Sequence, residues 1–110
     1  MKQGDIWFAD LNPTKGSEQA GLRPVVVISG NLLNQYLPIV IVVPLTTKIK
    51  KYKGNPILSP SKLNGLKIES EMLVFHVMSV SKDRLVKRVG SIEPPVLAQS
   101  IKTLNEILKY

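Results

Sequence analysis

The chain of 110 residues carries 15 Lys and Arg against 8 Asp and Glu, a formal net charge of +7, and has no cysteine. That length predicts one domain over residues 1–110, able to bury roughly two-thirds of its unfolded surface and to fold without disulfides or metal. The missing cysteine excludes disulfide frameworks, thiolate zinc sites and cysteine nucleophiles, while the positive excess fits polyanionic or acidic protein partners, or a basic soluble protein with neither.

No secretory signal pattern opens the chain, since no basic segment precedes a long apolar run. Gly4 to Leu11 reads as a strand, with Ile6, Trp7 and Phe8 suited to a pleated, partly buried surface. Asn12 to Pro24, N-P-T-K-G-S-E-Q-A-G-L-R-P, is too rich in charge and turn residues to belong to a core. This loop leads Arg23, a permanent cation, to the lip of a sheet. Pro24 to Ser29 is a valine-rich strand, apolar on both faces, hence buried on both sides or closed in a barrel. Gly30-Asn31 breaks it, and Asn31 is suited to cap a short helical turn through Tyr36. Pro38 to Leu45 is the longest apolar run, far short of the ~20 residues of a membrane span. A cytoplasmic protein with no membrane partner is therefore expected. Pro44 places the end of this strand at an edge or bulge.

Thr46 to Lys53 is a basic loop with lysines at 48, 50, 51 and 53. Asn55 to Ser59 suits a short strand, and turn signals continue to Gly65. Glu69 to Val80 reads as one long strand, with Met72, Val74, His76 and Met78 on one face and Leu73, Phe75, Val77 and Ser79 on the other. A tight helical turn, Ser81 to Arg84, precedes a strand from Leu85 to Ile92. Pro94 and Pro95 then open a helix, where missing amide donors cost little. Its apolar stripe is Leu97, Ile101, Leu104 and Leu108. Many short strands with one terminal helix imply a mainly β fold, a small curved barrel or half-barrel with a helix packed on it.

Several of these segments together resemble the MazF/PemK/Kid family of toxin endoribonucleases. The likeness runs through G-D-I-W at Gly4 to Trp7, the Asn12–Pro24 loop, V-V-V-I-S, V-P-L-T-T at Val43 to Thr47, K-D-R-L at Lys82 to Leu85, and the terminal helix. The resemblance implies an SH3-like small β-barrel of the CcdB/MazF/PemK kind with a C-terminal helix, working as a homodimer. It implies cleavage of single-stranded RNA, usually mRNA, without metal or other cofactor, to 2′,3′-cyclic phosphate and 5′-hydroxyl ends. It also implies a cognate antitoxin whose acidic, flexible tail covers the RNA groove. By motif, Arg23 and Thr46 match the residues implicated in catalysis, and Gly16 to Gln19 matches a flap beside the groove.

In such a reaction the 2′-hydroxyl loses a proton, the departing 5′-oxygen gains one, and the phosphorane between them carries added negative charge. A guanidinium neutralises that charge with parallel donors but is a poor free base, which favours electrostatic stabilisation for Arg23. A threonine hydroxyl suits a non-bridging oxygen or the nucleophile. The substrate-binding candidates are Glu18, as a base-edge or proton acceptor, Gln19 for a base edge, Thr47, and Lys48 and Lys50 for the backbone, with Lys51 and Lys53 beside them. Trp7, Tyr36 and Tyr52 suit base stacking or packing, with packing expected for Trp7.

One stretch departs from the family. Many members carry an acidic residue, Gln, a spacer, Arg, then Thr or Ser where this chain has Phe75-His76-Val77-Met78-Ser79. The carboxylate and the arginine are gone, so their roles do not transfer to Phe75 or Met78. His76 and Ser79 remain as candidate RNA contacts, and an imidazole exchanges protons near neutral pH. Two other readings compete with the nuclease: a non-enzymatic gyrase poison on the CcdB plan, and an RNA-binding relative with weakened catalysis. The arginine-bearing loop and the threonine after Pro44-Leu45 favour the nuclease over the gyrase poison.

Overall fold

Val25, Val26 and Val27 are all fully buried, so the strand that holds them needs apolar cover on both faces. The computed structural model describes residues 1–11 and 21–110. Its elements are β1 (Asp5–Asp10), β2 (Leu22–Val27), α1 (Asn31–Tyr36), β3 (Ile39–Thr46), β4 (Ile57–Leu58), β5 (Ser70–Met72), β6 (Met78–Ser81), β7 (Leu85–Ser91) and α2 (Pro94–Ile107). Short 3-10 turns at Val74–His76 and Lys82–Arg84 join β5 to β6 and β6 to β7.

Among the described residues the strands form one antiparallel sheet in the order β4-β5-β3-β2-β1-β7, with β6 also on β3. The sheet curls into a half-barrel with two cores. Ile6, Val26, Val43, Leu45 and Met72 belong to one, under Leu97 and Leu104 of α2. Ala9, Val25, Val27, Val40 and Val42 belong to the other, closed by Trp7, Met78 and Leu85. Neighbours along β2 thus enter different cores, as the run of valines predicts. Trp7 packs as expected. No helix of the described residues is long and apolar enough to cross a membrane.

The expected long strand from Glu69 to Val80 is divided. Leu45 faces Met72 while Val42 faces Met78, so three steps along β3 correspond to six along its partner. The surplus forms the turn at Val74–His76, which removes Phe75 and His76 from the alternation read in the sequence. Pro44 supplies the cause. Its carbonyl accepts the Leu73 N–H at 2.9 Å, but it has no N–H to return, so the ladder is interrupted there and the partner strand bulges. Pro44 itself lies within β3 and opposite Val25, not at its end.

Two smaller expectations are corrected. Gly30, not Asn31, is the residue before α1; the Asn31 carboxamide instead accepts the Gln3 N–H at 2.7 Å. Leu108 follows the end of α2 and is 66 % exposed, because the helix stops at Ile107 before that turn reaches the core. Ser100 and Thr103 are the buried residues on α2, and Thr103 donates to the Gly54 carbonyl, tying the helix to the end of the basic loop.

Candidate active site

Arg23 is the second residue of β2, opposite Ala9 of β1, and it is exposed. Thr46 is the last residue of β3 and half-buried. Val27 faces Val42 and Val25 faces Pro44, the last pair of that ladder; Arg23 and Thr46 each lie two residues beyond it, at the same end of the two strands. Alternation puts both on the face of Val25 and Val42, at the rim of the second core. Two residues from separate sequence motifs therefore converge at one end of a β-ribbon. The position of Arg23 inside β2 sets its backbone by the ladder, while the guanidinium stays in solvent.

The Thr46 hydroxyl oxygen accepts the Lys48 N–H at 3.1 Å. Its own hydrogen is left to donate, and the accepted bond fixes the oxygen. Thr47 turns elsewhere: it lines a cavity of about 540 Å³ with Phe8, Pro24, Lys67, Lys87 and Arg88. Phe8 and Pro24 face each other across β1 and β2, on the side opposite Arg23, so Thr47 is separated from the Arg23–Thr46 pair.

Lys48 and Lys50 are exposed, as are Lys51 and Lys53. The loop that carries them is held from beneath by a residue the sequence reading passed over. Glu71, opposite Thr46 in β5, is fully buried. One of its oxygens, Oε1, accepts the N–H groups of Lys50 and Lys51 at 2.7 and 2.9 Å. The other, Oε2, accepts the Tyr52 N–H at 3.0 Å and the Asn55 carboxamide at 3.1 Å. Lys51 takes a positive φ of 58°, which lets successive amides turn inward around the carboxylate as a nest. Burial pushes the Glu71 carboxyl up, but the bonds from Lys50, Lys51, Asn55 and Tyr52 outweigh it and hold the pKa below its ordinary 4.5. The signal available in the sequence was one acid ahead of the apolar run Met72 to Phe75, facing a loop of lysines.

His76 and Ser79 are exposed and lie along the other edge of β3 from β2. His76 sits in the turn beside Pro44, and Ser79 pairs with Ile41. The structure thus places His76 between the Leu45–Met72 and Val42–Met78 pairs, alongside Pro44, and leaves Ser79 farther down the strand. Glu18 and Gln19, with the rest of the Gly16–Gln19 flap, lie outside the described residues. Among the described residues, no three His, Asp or Glu side chains gather as a metal cage requires.

The profile of PemK-like, MazF-like toxins of type II toxin-antitoxin systems matches residues 2–108. Endoribonuclease EndoA of Bacillus subtilis is 34% identical over 98 residues, covering 88% of this chain and 84% of that protein. Endoribonuclease MazF of Staphylococcus saprophyticus is 38% identical over 91 residues, covering 81% and 75%. In three dimensions, a MazE-MazF crystal structure from Deinococcus radiodurans superposes with a TM-score of 0.80 at 26% identity, over 98% of this chain and 95% of that one. A convergent Arg–Thr pair, a pinned basic loop and these likenesses agree: this chain belongs to the family of PemK-like, MazF-like toxins of type II toxin-antitoxin systems.

Proposed function

We propose that the chain, as one toxin domain, is an endoribonuclease that cleaves single-stranded RNA, mRNA above all, at short sequences in the cytoplasm. It works as a homodimer and is neutralised by a cognate antitoxin with an acidic, flexible tail. The carrying observation is that Arg23 and Thr46 lie two residues beyond the last β2–β3 pair, at one end of both strands, beside an anchored row of lysines. The endoribonuclease names of the EndoA and MazF relatives support the same activity.

In this reading the RNA 2′-oxygen attacks the adjacent phosphorus as the bond to the 5′-oxygen breaks. A cyclic 2′,3′-phosphate and a 5′-hydroxyl result. Arg23 offers its donors to the charge that accumulates on the non-bridging oxygens. Thr46, its oxygen steadied by the Lys48 amide, donates its hydrogen to the same phosphate. Lys48 and Lys50 attract the flanking phosphates, with His76 and Ser79 as further contacts along the bound strand; Thr47, on the opposite face of the sheet, is left out of this set. Glu18 and Gln19 meet base edges from the flap.

The test is incubation of purified protein with a long RNA in EDTA, followed by mapping of fragment ends. Cleavage to cyclic phosphate and 5′-hydroxyl termini is expected. Arg23→Ala loses on the order of a hundredfold or more in rate, the ~2.7–4 kcal/mol typical of one lost transition-state donor, with its unfolding transition unchanged. Intact RNA after long exposure to folded wild-type protein overturns the nuclease reading. Wild-type cleavage by Arg23→Ala overturns the role of the guanidinium.

A further inference from the structure

Three aromatic rings meet at the surface beside the lysine loop. Tyr52 and Phe75 stand edge to face, with ring centres 5.3 Å apart and planes at 84°. Phe75 and His76 do the same at 4.5 Å and 74°. Tyr52 is 50 % exposed, Phe75 is 45 % exposed, and His76 is also exposed. Single exposed apolar side chains are ordinary on a protein surface; what sets this place apart is that three ring systems stand in mutual contact there.

The backbone segments that carry the rings are held from two directions. Tyr52 is held through its amide on Glu71. The turn that carries Phe75 and His76 closes through His76 N–H to the Leu73 carbonyl at 2.9 Å and Val77 N–H to the Val74 carbonyl at 3.1 Å. Asn55 joins the two sides: its nitrogen donates to Glu71, and its oxygen accepts the Val74 N–H at 3.4 Å. The cluster is thus organised before any ligand arrives, which lowers the entropic cost of binding.

The two chain segments that carry the rings are one-sided in charge. The segments 46–55 and 70–81 contain four lysines and a single acid, Glu71, which is buried with both oxygens engaged. Aromatic faces beside a run of exposed lysines are the combination that holds single-stranded nucleic acid, lysine to phosphate and ring to base.

We propose that Tyr52, Phe75 and His76 form a stacking platform for an unpaired RNA base flanking the phosphate at Arg23 and Thr46. The base is held by its face, so the position tolerates any base and ranks them by stacking area. This rests on the endoribonuclease reading, and the experiment separates the two.

The probe is an all-2′-deoxy copy of an RNA segment that the wild-type protein cleaves. It has no attacking hydroxyl, and 2-aminopurine is placed at each position in turn. Wild-type protein is expected to quench the fluorophore at a position next to the cut. Phe75→Ala abolishes that quench and weakens binding about tenfold, within the range of one lost base–aromatic stack. Phe75→Leu, which keeps an apolar cover on the turn, shows the same loss with wild-type thermal unfolding, and Phe75→Trp retains both quench and affinity. If wild-type protein cleaves RNA but Phe75→Leu binds the probe as tightly and quenches it equally, the platform is refuted and the nuclease reading stands. If wild-type protein neither cleaves nor binds RNA, both are refuted.

Discussion

Glu71 shows how a single side chain can organise a segment of a binding face without touching the ligand. An isolated buried carboxylate is costly by several kcal/mol; here three backbone amides and one carboxamide satisfy it. Glu71→Gln keeps the shape but turns one acceptor into a donor facing N–H groups that already donate. The expected cost is about 2–4 kcal/mol of unfolding free energy in a urea titration, from buried donors left unpaired. The same residue sets an acid limit. Because its folded pKa lies below 4.5, its contribution is complete above that value and is lost as pH falls through the lower folded one. Stability curves of wild type and Glu71→Gln are therefore expected to converge in strong acid and to separate fully by neutral pH. A constant gap across the whole range refutes this assignment.

At the scale of elements, the fit of β7 against the loop between β4 and β5 is the least forgiving contact. Asn64 fixes that loop by accepting the N–H groups of Ser61 and Leu66 at 2.9 Å and donating to the Ser59 carbonyl at 2.8 Å. A Cβ at Gly90 would stand 2.5 Å from backbone atoms of Leu63 and Asn64, none of which is a flexible side-chain end. Gly90→Ala is expected to destabilise by about 1–3 kcal/mol or more, read as a lower urea midpoint, as overpacking does elsewhere. The sequence disclosed β1, β2, β3 and β7 because burial pattern and turn residues agree there, and it disclosed Arg23 and Thr46 because both sit in motifs. It hid the division of the strand after Glu69, since the cause is a missing N–H on Pro44, a residue of another strand. It hid Glu71 for a related reason: the partners are main-chain amides about twenty residues upstream, and amides carry no residue identity. Leu108 fits the helical stripe by spacing, yet the helix ends one residue earlier.

The whole molecule has a Cα radius of gyration of 13.2 Å and extents of 34 × 31 × 26 Å, with a net charge of +7. Charges on its far side lie well beyond the ~8 Å screening length of physiological salt, so only cations near the bound strand set affinity. Arg23 with Lys48, Lys50, Lys51 and Lys53 predicts a slope of roughly −3.5 for log affinity against log salt on an uncleavable single strand, if each meets one phosphate. Replacing Lys50 and Lys51 together by alanine is expected to flatten that slope by roughly 1.4, and an unchanged slope refutes their contact with the strand. The surplus residues opposite Pro44 have a last consequence. Phe75 and His76 hang outside the ladder, so exchanging them disturbs neither strand pairing nor either hydrophobic interior. Substitution at these two positions is therefore open to drift in ways that the paired strands around them are not.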